Sequence, residues 1–503
     1  MCGIAGVWGR SDEPFVRDMM VALRHRGPDA TGLHRGERGT LGHQRLSIMD
    51  PAAGDQPIYN ETRDTAIVAN GEVYNFPQLR EKLARRHVLA TGNDSESVLH
   101  LYEEASTEAA SRLDGMFAFA VSDGSDLYLA RDPIGIKPLY YGQDDGRLVF
   151  ASELKALSHL SGDVREFPAG TWYHSAVGFR RFYAVPDRQP VRRPVREHCR
   201  RIRAALERAV AKRLMSDVPV GAFLSGGLDS SIICAITRKH VDRLHTFSVG
   251  IEHSRDLLAA RRVAGHLDTI HHEYTFTARE VREALPQIIY HLESYDQDLV
   301  RSAIPCFFTS RLAAEHVKVI LTGEGADELF AGYTYYRDIP DAAALHRELR
   351  RSVCSLHNIN LQRVDRLTMA HSLEGRVPFL DTELIELAQT IPPDLKLRTL
   401  PDGRRVEKWI LRKACEDLLP ADIIWRDKEQ FDEGSGTTEL IDTALEHVVP
   451  PAQAGHYAAV HPGAGLRSSE ECAYHKLLAH AYSDSRVVLG NVARWSDRQH
   501  DPR

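Results

Sequence analysis

Val218-Pro219-Val220-Gly221-Ala222-Phe223-Leu224 runs straight into Ser225-Gly226-Gly227-Leu228-Asp229-Ser230-Ser231, and an apolar stretch, Ile232–Thr237, follows. The first seven residues read as a strand, the next as a glycine-rich turn, and the last as the first turns of a buried helix. A turn of this kind leaves backbone N–H groups and hydroxyls at a helix N-terminus facing whatever anion sits in the loop. Asp229 adds either a metal ligand or a helix cap. No lysine of the G-x-x-x-x-G-K-[ST] pattern is present, so this is not the common P-loop.

The same rhythm continues downstream. Helical periodicity over His198–Leu214 alternates with short apolar strands at Leu244–Val249 and Val317–Leu321, which predicts a parallel sheet covered by helices. From about Leu356 helical patterns dominate. Upstream, the first 180 or so residues hold short apolar runs, among them Thr65–Ala69, Phe117–Ser122 and Leu127–Ala130, broken by Gly, Asp and Asn. That pattern predicts a β-rich unit with a few helices. Tyr183–Val195, with Pro186, Pro190 and Pro194 among arginines, reads as a linker. A chain of 503 residues exceeds one hydrophobic core, so two domains are expected, over 2–185 and 195–503.

Lys and Arg number 63 against 70 Asp and Glu, a net charge of -7, which argues against nucleic-acid binding through a basic stripe. No apolar run is long enough to span a bilayer, and no basic-then-apolar leader is present, so the expected compartment is the cytoplasm. Seven scattered cysteines, never spaced C-x-x-C, fit neither a disulfide framework nor a zinc site. Six of them read as small buried apolar residues. His271-His272-Glu273 is adjacent rather than i, i+4, and reads as a strand-end cluster.

The seventh cysteine follows the initiator methionine. Removal of Met1 would give Cys2 a free α-amine, so that one residue holds both nucleophile and base. Behind it, in order, stand Arg24–Asp29 (RHRGPD), Gly42–Ile48 (GHQRLSI), Asn70–Asn75 (NGEVYN), Thr91–Glu96 (TGNDSE) and Ala130–Pro133 (ARDP). With these motifs the first half resembles the class II glutamine amidotransferases. The resemblance implies an α+β domain, the αββα N-terminal-nucleophile sandwich. It implies a glutamine pocket with Arg45 at the carboxylate, the stretch Leu46, Ser47, Ile48 and Met49 beside it, and Asp94 with Glu72 at the amino end. Asn70 and Gly71 would supply the donors to the tetrahedral oxyanion. By themselves, Asn70-Gly71 is also a hairpin-turn signal and Asp94 a helix cap.

Ser225–Ser231 resembles the pyrophosphate loop of the ATP pyrophosphatases, which implies α/β-phosphate cleavage of ATP and adenylation of a carboxylate. Leu224, Val249, Thr322 and Gly323 would then meet the nucleoside. Ser225, Gly226, Gly227, Asp229, Ser230 and Lys428, with Lys408, would meet the phosphates. Gly323–Glu328 with Gly332-Tyr333, Glu374–Asp381 (EGRVPFLD), Glu407–Arg412 and Lys428–Phe431 follow in order. Together these blocks resemble the glutamine-hydrolysing asparagine synthetases. The resemblance implies Glu324 as the base for attacking ammonia, Asp229 and Asp327 as Mg²⁺ ligands, and Arg301, Asp327 and Asp381 at the acceptor.

It also implies glutamine, ATP and aspartate as substrates, a homodimer, and an apolar interdomain passage for ammonia, with no nucleic-acid or membrane partner. Asp298-Leu299 stands where many members carry two threonines, so a ligase amidating a different carboxylic acid stays open as the alternative. The segment after Glu446 is expected to carry little chemistry.

Overall fold

The computed structural model describes residues 2–482 and 484–495. The chain begins with β1 (Gly3–Trp8), α1 (Glu13–Ala22), β2 (Ala30–Arg35), β3 (Gly39–Arg45), β4 (Ile58–Tyr59), β5 (Ala66–Val73), α2 (Phe76–Leu83) and α3 (Asp94–Ala105). Then come β6 (Gly115–Ser122), β7 (Leu127–Arg131), β8 (Tyr140–Asp144), β9 (Arg147–Ala151), β10 (Val164–Glu166), β11 (Thr171–His174) and β12 (Gly178–Arg181). These strands form two antiparallel sheets, ordered β10-β8-β9-β1-β3-β2 and β12-β11-β7-β6-β5-β4.

Ile4, Trp8 and Leu41 of one sheet meet Val68, Ala118 and Leu129 of the other in a shared core. Val16 and Met20 of α1 cover the outside of the first sheet, and Leu79 and Val98 of α2 and α3 cover the outside of the second. This is the expected αββα sandwich. Its layering explains why β1 and β3 are buried at every position instead of alternating: a helix lies on one face and a sheet on the other. Asn70-Gly71, a turn signal in isolation, lies inside β5 and pairs with Ala118 and Phe117. The register of β6 decides it.

Residues 183–194 form no regular element and run along the second unit, where Val191 N–H donates to Thr390 O at 2.8 Å. After α4 (Val195–Lys212) the expected parallel sheet appears, ordered β15 (Ile270–Thr275), β14 (His245–Gly250), β13 (Val220–Phe223), β16 (Val319–Leu321), β17 (Glu374–Arg376). Its helices are α5 (Leu228–Thr237), α6 (Arg255–Leu267), α7 (Ala278–Leu292), α8 (Gln297–Ala314), α9 (Ala326–Phe330), α10 (Ala342–Cys354), α11 (Asn360–Met369) and α12 (Thr382–Gln389). Strand order reverses between β13 and β16, so the crevice above their carboxyl ends is where an open α/β sheet takes its ligand. No helix among the described residues is long and apolar enough to cross a membrane.

The two units meet across a layer of buried charge. Arg26 pairs with Glu153 at 2.5 Å and with Asp365 of α11 at 2.7 Å. Arg366 pairs with Glu293 at 3.0 Å, and Lys155 with Glu293 at 2.9 Å. Arg376 of β17 holds Glu374 at 2.6 Å and Glu72 of β5 at 3.4 Å.

One expected acceptor residue belongs to this structural class instead. Asp381 is buried, caps α12 by accepting Glu383 N–H, and pairs with Arg213 at 2.7 Å and Lys212 at 2.5 Å. It lines no part of the cavity that holds the nucleotide loop, and its contacts here are structural. Asp381→Ala leaves Arg213 buried without its carboxylate and is expected to cost about 3–5 kcal/mol. Chemical denaturation will read this as a lowered midpoint, with the KM of the acceptor carboxylate unchanged in the folded fraction.

Candidate active sites

The first site forms where the start of β1 crosses β5. Cys2 N–H donates to Asn70 Oδ1 at 3.0 Å, and Cys2 Sγ lies 4.0 Å from Leu46 O. The Asn70 side chain is therefore oriented, and its Nδ2 is buried with no protein partner. Gly71 has φ of +148°, and a Cβ there would meet Met116 O at 2.0 Å, so this position admits only glycine. Burial pushes the Cys2 thiol above its usual pKa, so the thiol needs a nearby base to ionise.

Arg45, Leu46, Ser47, Ile48 and Met49 form a buried wall beside Cys2. The Arg45 guanidinium is held by Asp50 O at 2.6 Å, Met49 O at 3.2 Å and Asp55 Oδ1 at 2.5 Å. Asp94 is not the cap of α3. Asn93 caps it by accepting Ser95 N–H, and Asp94 Oδ2 accepts Val73 N–H at 2.6 Å. Burial raises the Asp94 carboxyl to about 6, against the pull of that backbone bond. Glu72 turns one oxygen toward Arg376, while its Oε2 is buried without a partner. Burial, then the nearby carboxylates of Glu374 and Asp94, raise its pKa well above the carboxylate range.

The second site lies above β13 and β16, in a cavity of about 310 Å³. It is lined by Leu224, Ser225, Gly227, Asp229, Ser230 and Val249, and from the other strand by Thr322, Gly323, Glu324 and Asp327. Ser225 Oγ and Ser230 Oγ lie 3.1 Å apart and tie the loop across itself. Gly226, at φ +75°, does not line the cavity; it lets the loop pass α6, where a Cβ would come 2.5 Å from Ala260 N. The Thr322 hydroxyl is buried without a partner.

Lys408 occupies the centre, 2.5 Å from Asp229 Oδ2 and 2.7 Å from Asp327 Oδ1, and Lys428 lies 3.0 Å from Asp327 Oδ2. Lys408 carries a left-handed φ of +54°, and Gly332 makes room for it: a Cβ there would sit 2.1 Å from Lys408 Cε. Despite burial, the two lysines hold Asp327 far below its usual pKa. Burial raises the Glu324 carboxyl, and Arg363, paired with it, acts the other way.

The end of the cavity nearest α8 and α11 differs most from expectation. Arg301 lines no part of the cavity; its guanidinium pairs with Glu470. That glutamate stands on the helix Ser469–His480, in the segment expected to carry little chemistry. The same segment returns Trp495 to the cavity wall, against Tyr333 with ring centroids 5.2 Å apart. Asp298, Ser302, Asn360, Arg363 and Asp432 complete that end.

Arg363, Arg426, Asp256 and Trp495 carried no motif in the sequence. Asn360 and Arg363 stand one helical turn apart on α11, but that helix, NLQRVDRLTM, is buried along its whole length and polar at several other positions, so the spacing did not mark them.

Residues 1–173 match the glutamine amidotransferase domain family, and residues 201–341 and 337–476 match the asparagine synthase family. An asparagine synthetase of the glutamine-hydrolysing kind from Arabidopsis thaliana is 43% identical over 477 residues, spanning 89% of this chain and 82% of that protein. One from Triphysaria versicolor is 43% identical over 460 residues, spanning 87% and 78%. With both domain families in the order that the two sites require, the chain belongs to the glutamine-hydrolysing asparagine synthetase family.

Proposed function

We propose that this chain, acting in the cytoplasm, hydrolyses glutamine at Cys2, adenylates aspartate with ATP, and converts the adenylate to asparagine with the released ammonia. The observation that carries the reading is Asn70 Nδ2, a buried donor left open beside the cysteine. Two units, 2–185 and 195–503, divide the two half-reactions between them.

With Met1 removed, the Cys2 nitrogen becomes an amine that takes the thiol proton, and Sγ attacks the glutamine amide. Asn70 Nδ2 and Gly71 N–H receive the oxyanion, where each such donor contributes about 3–4 kcal/mol. Arg45 takes the glutamine carboxylate and Asp94 its ammonium. Glu72, expected with Asp94 at the amino end, turns one oxygen toward Arg376 of the second unit. Ammonia then crosses between the units, where Tyr74, Met116, Ile134 and Ile136 join one apolar cluster with Val377, Phe379 and Leu380. Its starting end is charged rather than apolar, since Glu72, Glu374 and Arg376 lie there.

At the second site the acceptor carboxylate displaces pyrophosphate from the α-phosphate of ATP. Ser225–Ser230, Lys408 and Lys428 receive the leaving pyrophosphate, and Glu324 takes a proton from ammonia as it attacks the acyl-adenylate. Asp229 and Asp327 suit Mg²⁺: they already converge on one cationic centre, and Asp229 Oδ1 is buried without a hydrogen bond. Mg²⁺ held there would supply charge neutralisation of the phosphates. For the acceptor, Arg363 replaces Arg301, because its Nε is buried, unbonded and beside Glu324, whereas Arg301 is spent on Glu470.

Purified enzyme given glutamine, ATP and aspartate should release AMP and pyrophosphate in step with asparagine. Release of ADP and orthophosphate overturns the reading, and a better amidated carboxylate in an acid panel replaces aspartate. Cys2→Ala should abolish glutamine-dependent synthesis and keep the rate with ammonium salts. Glutamine hydrolysis should lose affinity as pH falls through about 6, because protonated Asp94 no longer pairs with the substrate ammonium; Asp94→Asn should flatten that pH dependence of KM. Arg363→Ala should raise the aspartate KM by roughly tenfold or more, the worth of a charged hydrogen bond, while Arg301→Ala leaves it within about threefold.

A further inference from the structure

Away from both sites, Glu61, His87, His100 and Glu103 meet on the outer layer of the sandwich, with one donor atom of each within 4.8 Å of the others. Glu61 follows β4, His87 follows α2, and His100 and Glu103 share one face of α3. His100 Nδ1 is 2.7 Å from Glu103 Oε2, and His87 Nδ1 is 3.5 Å from both Glu103 Oε2 and Glu61 Oε1. Nitrogen and oxygen ligands held at about 2.0–2.2 Å around a tetrahedral zinc ion lie about 3.3 Å from one another. The observed separations bracket that value.

A second layer of contacts orients these donors. Asn60 Nδ2 donates to Glu103 Oε1 at 2.7 Å, which leaves Oε2 for the centre, and Val88 N–H donates to Glu61 Oε1 at 2.7 Å. His100 is fully buried, and its Nε2 has no hydrogen bond; it faces Glu96 Oε1 at 3.8 Å. Glu96 is in turn fixed by Ala90 N–H and Thr91 N–H. A carboxylate behind one ring nitrogen keeps the proton there and frees the other as a ligand, the usual backing of a metal-bound imidazole. The carboxylates also outnumber the cations: Glu61, Glu96, Glu103 and Glu104 surround the two rings, and Arg86, 3.4 Å from Glu104, is solvent-facing.

We propose that Glu61, His87, His100 and Glu103 bind one divalent transition-metal ion of the zinc class, which ties the loops after β4 and α2 to α3. Two imidazoles and two carboxylates are a donor set of that class rather than of Mg²⁺ or Ca²⁺. The two rings stack at 4.4 Å with a 29° tilt, so His87 turns about its side-chain bonds to aim Nδ1 inward. It sits on a connecting segment, where that rotation is available. Because the first turn of α3 carries Asp94, the ion stiffens the helix that presents a glutamine contact.

A second grouping, His245, His272 and His316, serves as the internal comparison. Its rings lie nearly parallel, and His245 Nδ1 and His272 Nε2 already share a hydrogen bond of 2.9 Å.

Tag-free full-length protein, stripped by chelator, will be titrated with Zn²⁺ against a chromophoric chelator at pH 7.5, and with Co²⁺ by visible absorption. The same titrations use Glu61→Gln/His87→Ala and His316→Ala, with retained ammonia-dependent activity as the check of folding. The expected result is one ion per chain, with a thermal midpoint raised by Zn²⁺. Affinity should fall by about 100-fold or more in the double variant and stay unchanged in His316→Ala. The proposal is overturned when the wild type takes up no ion, or when the double variant binds with unchanged affinity and an unchanged Co²⁺ spectrum.

Discussion

Buried charge between the two units is the constraint on which the rest of the molecule rests. Arg26, Glu153, Glu293, Arg366 and Arg376 are almost wholly excluded from water. Several of their partners stand on the opposite unit: Asp365 for Arg26, and Glu72 for Arg376. An arrangement that slides β17 away from β5 strands these charges, at several kcal/mol for each ion left without its partner. One docking satisfies them, and it fixes where the glutaminase pocket opens relative to the adenylation cavity. A reaction that hands over a small, easily protonated molecule depends on that fixed relation.

The same low-dielectric layer sets the ionisation of the reacting groups. The Cys2 thiol, Asp94, Glu72 and Glu324 are all raised, with burial the largest cause in each case. Asp327 moves the other way, because Lys408 and Lys428 more than repay its desolvation. Two carboxylates a few residues apart in sequence are thus shifted in opposite directions, Glu324 up through burial and Asp327 down through its two lysines. Glycines complete the arrangement by removing atoms. Gly71 lets β5 pass Met116, Gly323 lets β16 pass the first turn of α5, and Gly332 leaves room for Lys408.

The segment after Glu446 shows how a part without motifs takes on a role. Among the described residues, the helix Ser469–His480 packs on α7 and α8, Pro451–Val460 packs on it in turn, and Arg486–Gly490 reaches the turn Leu154–Leu157 of the first unit. Glu470 takes the guanidinium of Arg301, and Trp495 forms part of the cavity wall. That end of the cavity is therefore built from residues almost two hundred positions apart, Asp298 and Trp495 among them. No local pattern could have joined them.

By itself, the sequence determined what depends on contiguous residues. The strand–turn–helix at Val218–Thr237 and the two-unit organisation were legible, because a strand, a glycine turn and a helix start are written in neighbouring residues, whereas the meeting of Cys2 with Asn70 spans 68 positions. Tertiary structure alone decided what depends on long-range pairing. It put Asn70-Gly71 in a strand instead of a turn because β6 lies alongside, and made Asp381 a buried cap because Arg213 and Lys212 arrive from α4 and the residue after it. It paired Arg301 with Glu470, far along the chain, and left it outside the cavity lining. A charged side chain goes to the partner that best offsets its desolvation, and only the folded chain names that partner.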